Sequence, residues 1–177
     1  MSILNEISLY ETEVIDFHKD DKWHDVIYTD APKKEAIMRL KQWINENKTN
    51  PFVIVRLYHG TDASLPIEKE GLKPTSAKRR HSLQSRSGFV SLSVFPGMAK
   101  TFGEMGHPKK DIAVYSVDVP ITKLVPDVDQ LKNKRMLGTE NVGKSLADSI
   151  AFGHGAQVKG FSSYINTYRK LKKVVES

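Results

Sequence analysis

A histidine is chemically versatile near neutral pH, because one ring nitrogen can donate while the other accepts. Such a residue stands in "PFVIVRLYHGT", where His59 follows an apolar run and precedes Gly60 and Thr61. The segment reads as a strand that ends by delivering His59, beside a glycine that lets a backbone approach a ligand closely. In "GFVSLSV", Ser91 and Ser93 lie on either side of Leu92, so strand alternation puts both hydroxyls on one face. "GTENVGKS" has Gly138, Gly143, Lys144 and Ser145 at the spacing of a phosphate loop. Such a loop needs a buried strand running straight into it. The residues before it, "DQLKNKRML", are polar and basic, so it reads as a polar loop. The six histidines (18, 24, 59, 81, 107 and 154) have no metal-ligand spacing, and neither HExxH nor GxSxG occurs. With no cysteine, disulfides, cysteine-ligated zinc and thiol catalysis are excluded.

The elements that must position these residues follow from periodicity and punctuation. "DAPKKEAIMRLKQWINENK" predicts a helix with Pro32 in its first turn, and Ile37, Leu40, Trp43 and Ile44 form its apolar stripe. "PFVIVRLYH" is apolar enough for a central strand, and "ASLPIEKEGL" predicts a short helix stopped at Gly71. A basic, serine-rich loop covers 73–87, "GFVSLSV" is a second strand, and Pro96 opens the helix "PGMAKTFGE". "DIAVYSVDVP" is a long strand, "SLADSIAFG" a helix and "AQVKG" a short strand. In the last segment, Tyr164, Tyr168, Leu171 and Val175 favour a terminal helix. Strands and helices do not alternate regularly, which makes the chain α+β and argues against a doubly wound nucleotide fold.

A length of 177 residues fits one domain, 1–177, here divided into a helical N-terminal extension (1–50) and a core of catalytic type (51–177). No apolar stretch approaches a membrane span, and "MSILNEISLYETEV" lacks the pattern of a signal peptide. A cytoplasmic protein with no membrane partner is the expectation. The net charge of +6 collects at 69–86, 132–135 and 169–173. Basic clusters of this kind attract phosphates, nucleic acid among their sources. No aromatic residue interleaves with 78–86 to form a single-strand stacking platform.

Five segments occur in order: "RLYHGT", "EGLKP", "GFVSLSVFPGMAKTFG", "IAVYSVDVP" and "AQVKG". Together, over about residues 52–165, they resemble the histidine-bearing branch of the ADP-ribosyltransferase fold family. That branch includes poly- and mono-ADP-ribosyltransferases, nucleic-acid-modifying toxins and RNA 2′-phosphotransferases. The resemblance implies a split β-sheet, NAD as co-substrate and transfer of ADP-ribose to a protein or nucleic-acid acceptor with release of nicotinamide. It implies that Tyr58, His59, Gly60 and Thr61 line the NAD site. His59 would bond the adenosine-side ribose, Gly60 would meet the nicotinamide amide, and Thr61 would sit at the adenine side. Ser91 or Ser93 would line the nicotinamide pocket, and Phe102 would offer a ring for stacking. The basic loop 73–87 would meet the acceptor.

One position departs from the family pattern. Active transferases place a glutamate at the start of a late strand, where it bonds the nicotinamide ribose and offsets the charge that develops on it. The matching position in "GHGAQVKG" holds Gln157, which can hydrogen-bond a hydroxyl but carries no charge. Glu140 and Asp148 are the alternative carboxylates. A module that binds NAD or ADP-ribose without turnover is therefore a competing expectation. An RNA 2′-phosphotransferase is a third, but that branch expects a second histidine where this chain has Ser91.

Overall fold

The computed structural model describes residues 13–27, 32–74, 88–131, 143–159 and 172–174. It is a mixed α/β structure built on one sheet of seven strands. The strands are β1 (Glu13–Ile15), β2 (Val53–Asp62), β3 (Phe89–Ser93), β4 (Ile112–Pro120), β5 (Leu124–Val125), β6 (Gly155–Lys159) and β7 (Lys172–Val174). Six of them run in the order β5-β6-β3-β2-β4-β7, and β1 pairs with β2 off that path. The helices are α1 (His24–Ile27), α2 (Lys34–Asn47), α3 (Ile67–Glu70), α4 (Pro96–Gly106) and α5 (Leu146–Gly153). Among the described residues, no helix is long and apolar enough to cross a membrane.

The sheet is continuous on one side of β2 and divided on the other. Antiparallel pairing with β4 extends from Ile54↔Pro120 to Asp62↔Ile112. The opposite edge of β2 is shared by two strands. β1 takes it in parallel from Glu13↔Val53 to Ile15↔Val55, and β3 meets it at the single pair Tyr58↔Ser93. β3 instead pairs along its length with β6, from Phe89↔Lys159 to Ser93↔Gly155. Two well-paired halves, β1-β2-β4-β7 and β3-β6-β5, are thus joined in the ladder at one residue pair.

The main core lies on the face that carries Val53, Val55 and Leu57 of β2 with Val90 and Leu92 of β3. The stripe of α2 behaves as its spacing predicts: Leu40 and Ile44 are fully buried, and Ile37 and Trp43 pack partly buried against the same core. Each fully buried leucine or isoleucine contributes about 1.5–3 kcal/mol. Phe17, Trp23 and Val26 join this cluster, so the described part of the N-terminal stretch shares the core of the sheet. That stretch is not helical throughout, because β1 contributes a strand. Its β-branched Val14 and Ile15 fill the edge of β2 that β3 leaves open.

Two further elements differ from the sequence reading. The strand expected to end at His59 continues to Asp62, because Gly60 and Thr61 pair with Val114 and Ala113 of β4. Of the expected terminal helix, Lys172–Val174 are instead a strand paired with Val114–Ser116 of β4. Tyr164, Tyr168, Leu171 and Val175 lie outside the described residues. So do residues 75–87 of the basic loop, the cluster at 132–135, and Gly138. The short α3 stops as expected at Gly71, whose φ of 74° is cheap for glycine alone.

Candidate active site

His59 sits in the split. By alternation it leaves β2 on the face opposite Tyr58, where β3 supplies no further ladder partner. Its ring crosses the gap, and the Nδ1–H donates to the Ser91 carbonyl of β3 at 2.8 Å. This bond fixes the ring and spans the point where the two halves of the sheet part. In the neutral ring it leaves Nε2 as the acceptor nitrogen.

The contacts continue into β6 from the Ser91 side chain, which shares the face of Ser93 and Tyr58. His59 thus meets the backbone of Ser91, while the Ser91 hydroxyl lies on the other face of the sheet. Ser91 is the cross-strand partner of Gln157, and the Gln157 amide donates to the Ser91 hydroxyl at 3.0 Å. Gln157 has no solvent exposure. Its Nε2 also lies 3.3 Å from Asp127 Oδ1 and 3.3 Å from Asp129 Oδ2. Three residues that the sequence singled out on separate strands are thereby joined: His59, Ser91 and Gln157. Two that it did not single out, Asp127 and Asp129, close the row.

The aspartates are held there by a pin inside the fold. Ser149 of α5 is fully buried; its hydroxyl donates to the Gly155 carbonyl at 2.6 Å and accepts from the Asp127 N–H at 2.9 Å. This fastens residue 127 to the start of β6, two residues from Gln157. Asp127 also accepts from the Gln130 N–H at 3.1 Å and so caps the helical turn at 128–131. Burial is the main influence on the Asp127 carboxyl and pushes its pKa up. Asp129 pushes in the same direction, while bonds from the Gln130 backbone and the Ser91 hydroxyl pull it down. Two neighbouring carboxylates resist sharing full charge.

The other predicted residues take different places. Ser93 is buried, and its hydroxyl donates at 3.5 Å to the carbonyl of His154, the left-handed residue that ends α5. It thus supports the α5–β6 corner, whereas Ser91 belongs to the row. Tyr58 is buried beside α4 with Ala99 and Val114. Its hydroxyl donates to Asp16 at 2.7 Å, and burial first, then that bond, raises the phenol's pKa. On the same face of β2, Arg56 grips Asp118 of β4 through two bonds, at 2.7 Å and 3.0 Å. Thr61 is buried, with its hydroxyl 3.5 Å from His107 Nε2. Phe102 is half-buried on α4.

Gly60 has a packing reason of its own. A Cβ on it would stand 2.1 Å from the Ala99 carbonyl oxygen and 2.8 Å from that carbonyl carbon. Gly103 presses on the same point, where a Cβ would meet the Gly60 carbonyl carbon at 2.9 Å. The pair of glycines lets α4 lie with its backbone directly on β2.

Of the alternative carboxylates, Asp148 is engaged elsewhere. It pairs with Lys41 of α2 at 2.7 Å, and it caps α5 reciprocally with Ser145. Ser145 of the formal phosphate-loop match is therefore a helix cap. Glu140 lies outside the described residues. Among the described residues, no group of three or more His, Cys, Asp or Glu could hold a metal ion. Comparisons with protein-family models, with curated proteins and with solved structures find no match.

Proposed function

We propose that this chain is an NAD-dependent mono-ADP-ribosyltransferase that releases nicotinamide and modifies a protein or nucleic-acid acceptor. The observation that carries the reading is the row across the split. His59 reaches from β2 to the Ser91 carbonyl of β3, and the Ser91 hydroxyl meets Gln157 of β6. A site built at the gap between two sheet halves suits a long, bent dinucleotide, because ligand-binding clefts favour such breaks in a fold. His59 Nε2 would accept a ribose hydroxyl, Ser91 and Gln157 would hold the nicotinamide end, and the basic loop 73–87 would attract a phosphate-bearing acceptor. The specific ADP-ribosyltransferase fold is part of this proposal.

A second reading keeps NAD binding and removes the turnover. Gln157 favours it, since an amide cannot offset the positive charge of a breaking glycosidic bond. Incubation of the purified chain with NAD labelled in both halves separates the two. Release of nicotinamide, with ADP-ribose in water or on an acceptor, identifies the enzyme. Binding of NAD without release identifies the module, and a chain that does not bind NAD contradicts both readings.

A further inference from the structure

We infer that the Asp127–Asp129 pair supplies the negative charge that Gln157 lacks, with Gln157 as the link that ties the pair to the nicotinamide ribose site. The inference rests on the transferase reading above. Its geometry is specific: one buried amide nitrogen, Gln157 Nε2, stands 3.0 Å from the Ser91 hydroxyl and 3.3 Å from each aspartate. The amide has two N–H groups for three acceptors. An acidic pair therefore adjoins the very position where a single carboxylate would be needed.

The two aspartates have different duties. Asp127 is anchored by the Gln130 N–H and by the Ser149 pin on its own N–H, so it positions the turn. Asp129 lies inside that turn and reaches Gln157 through Oδ2. We assign Asp129 the charge. In the reaction, the bond between the ribose C1′ and the nicotinamide nitrogen breaks, and its electron pair leaves with neutral nicotinamide. The oxocarbenium at C1′ is stabilised by the nearby carboxylate. The acceptor's lone pair then forms the new bond to C1′, and its proton passes to Asp129 and on to water.

The test compares wild type, Asp129→Asn and the double variant Asp129→Asn with Gln157→Glu, measuring nicotinamide release, NAD affinity and melting temperature. Loss of one such stabilising group lowers kcat by about 10²–10³, and Asp129→Asn should do so with NAD affinity and melting temperature little changed. The double variant again holds two carboxylates, as wild type does. Burial favours the neutral form of the other one, Asp127, so the residue 157 carboxylate takes over the charge and a large part of the lost rate should return. Wild-type turnover in Asp129→Asn overturns the inference. So does a loss that Gln157→Glu fails to recover. A wild type that binds NAD but releases no nicotinamide overturns it while leaving the pocket in place, and a wild type that does not bind NAD overturns the pocket as well.

Discussion

Gln157→Glu in the otherwise unchanged chain is the substitution on which the resemblance and the structure disagree most. The resemblance alone makes it a gain, because it restores the expected glutamate. The structure makes it a third carboxylate, with Asp127 and Asp129 already at 3.3 Å from the side-chain nitrogen and no solvent exposure. At that separation and an effective dielectric of about 20, each like-charge contact costs about 5 kcal/mol. The new side chain escapes that cost by staying protonated. Holding a carboxyl of ordinary pKa ~4.3 neutral at pH ~7 costs about 1.36 kcal/mol for each of ~2.7 pH units, or about 3.7 kcal/mol in all. The folded-state pKa is raised, so the penalty is complete above it and fades as pH falls towards ~4.3, where the unfolded chain also protonates. For a chain of this size, about 3–4 kcal/mol lowers the melting temperature by roughly 6–16 °C. Thermal melts of wild type and variant near pH ~7 and ~4 measure the difference, which should be large at the first and small at the second. An unchanged melting temperature near neutrality would refute the reasoning, since it would mean that the aspartates do not crowd Gln157. An equal loss at both pH values would point to shape rather than charge.

The glycines of the α4–β2 contact make a second, independent set. Gly60→Ala places a methyl 2.1 Å from a backbone carbonyl that cannot rotate away. Overpacking of this kind costs about 3 kcal/mol or more, so its melting curve should fall by roughly 6–12 °C. Gly97→Ala on the same helix meets nothing within 4 Å, and it should instead raise stability by about 0.5–1 kcal/mol.

The long elements were legible because their patterns were long. The stripe of α2 and the apolar run of β2 buried the residues their spacing implied, whereas β4 is buried on both faces from Ala113 to Pro120, its polar Ser116 and Asp118 included. Short elements were not. β1 is three residues inside "YETEVIDF", and it becomes a strand only because β2 has a vacant edge there. β5 is two residues, Leu124–Val125, whose pairing with Val158 and Gln157 no local pattern announces. That pairing and the distant Ser149 pin bring Asp127 and Asp129 to Gln157, so the acidic side of the site was invisible in the chain order. Ser91 and Gln157 were legible as candidates, but their adjacency depends on the β3–β6 register. Gly60 shows the reverse case. A glycine beside a histidine suggests close ligand approach, while the structure gives it a helix backbone to accommodate.

The central claim is that His59 faces NAD from the split in the sheet. Calorimetric titration of NAD into wild type and His59→Ala, each also melted without ligand, tests it most directly. Removing the bond to Ser91 costs about 1–2 kcal/mol, so the unliganded variant should melt only roughly 2–8 °C lower and still cooperatively. Wild type should bind NAD, and the folded His59→Ala chain should lose most of that affinity. A folded variant that binds NAD as tightly as wild type, or a wild type that does not bind it, contradicts the account.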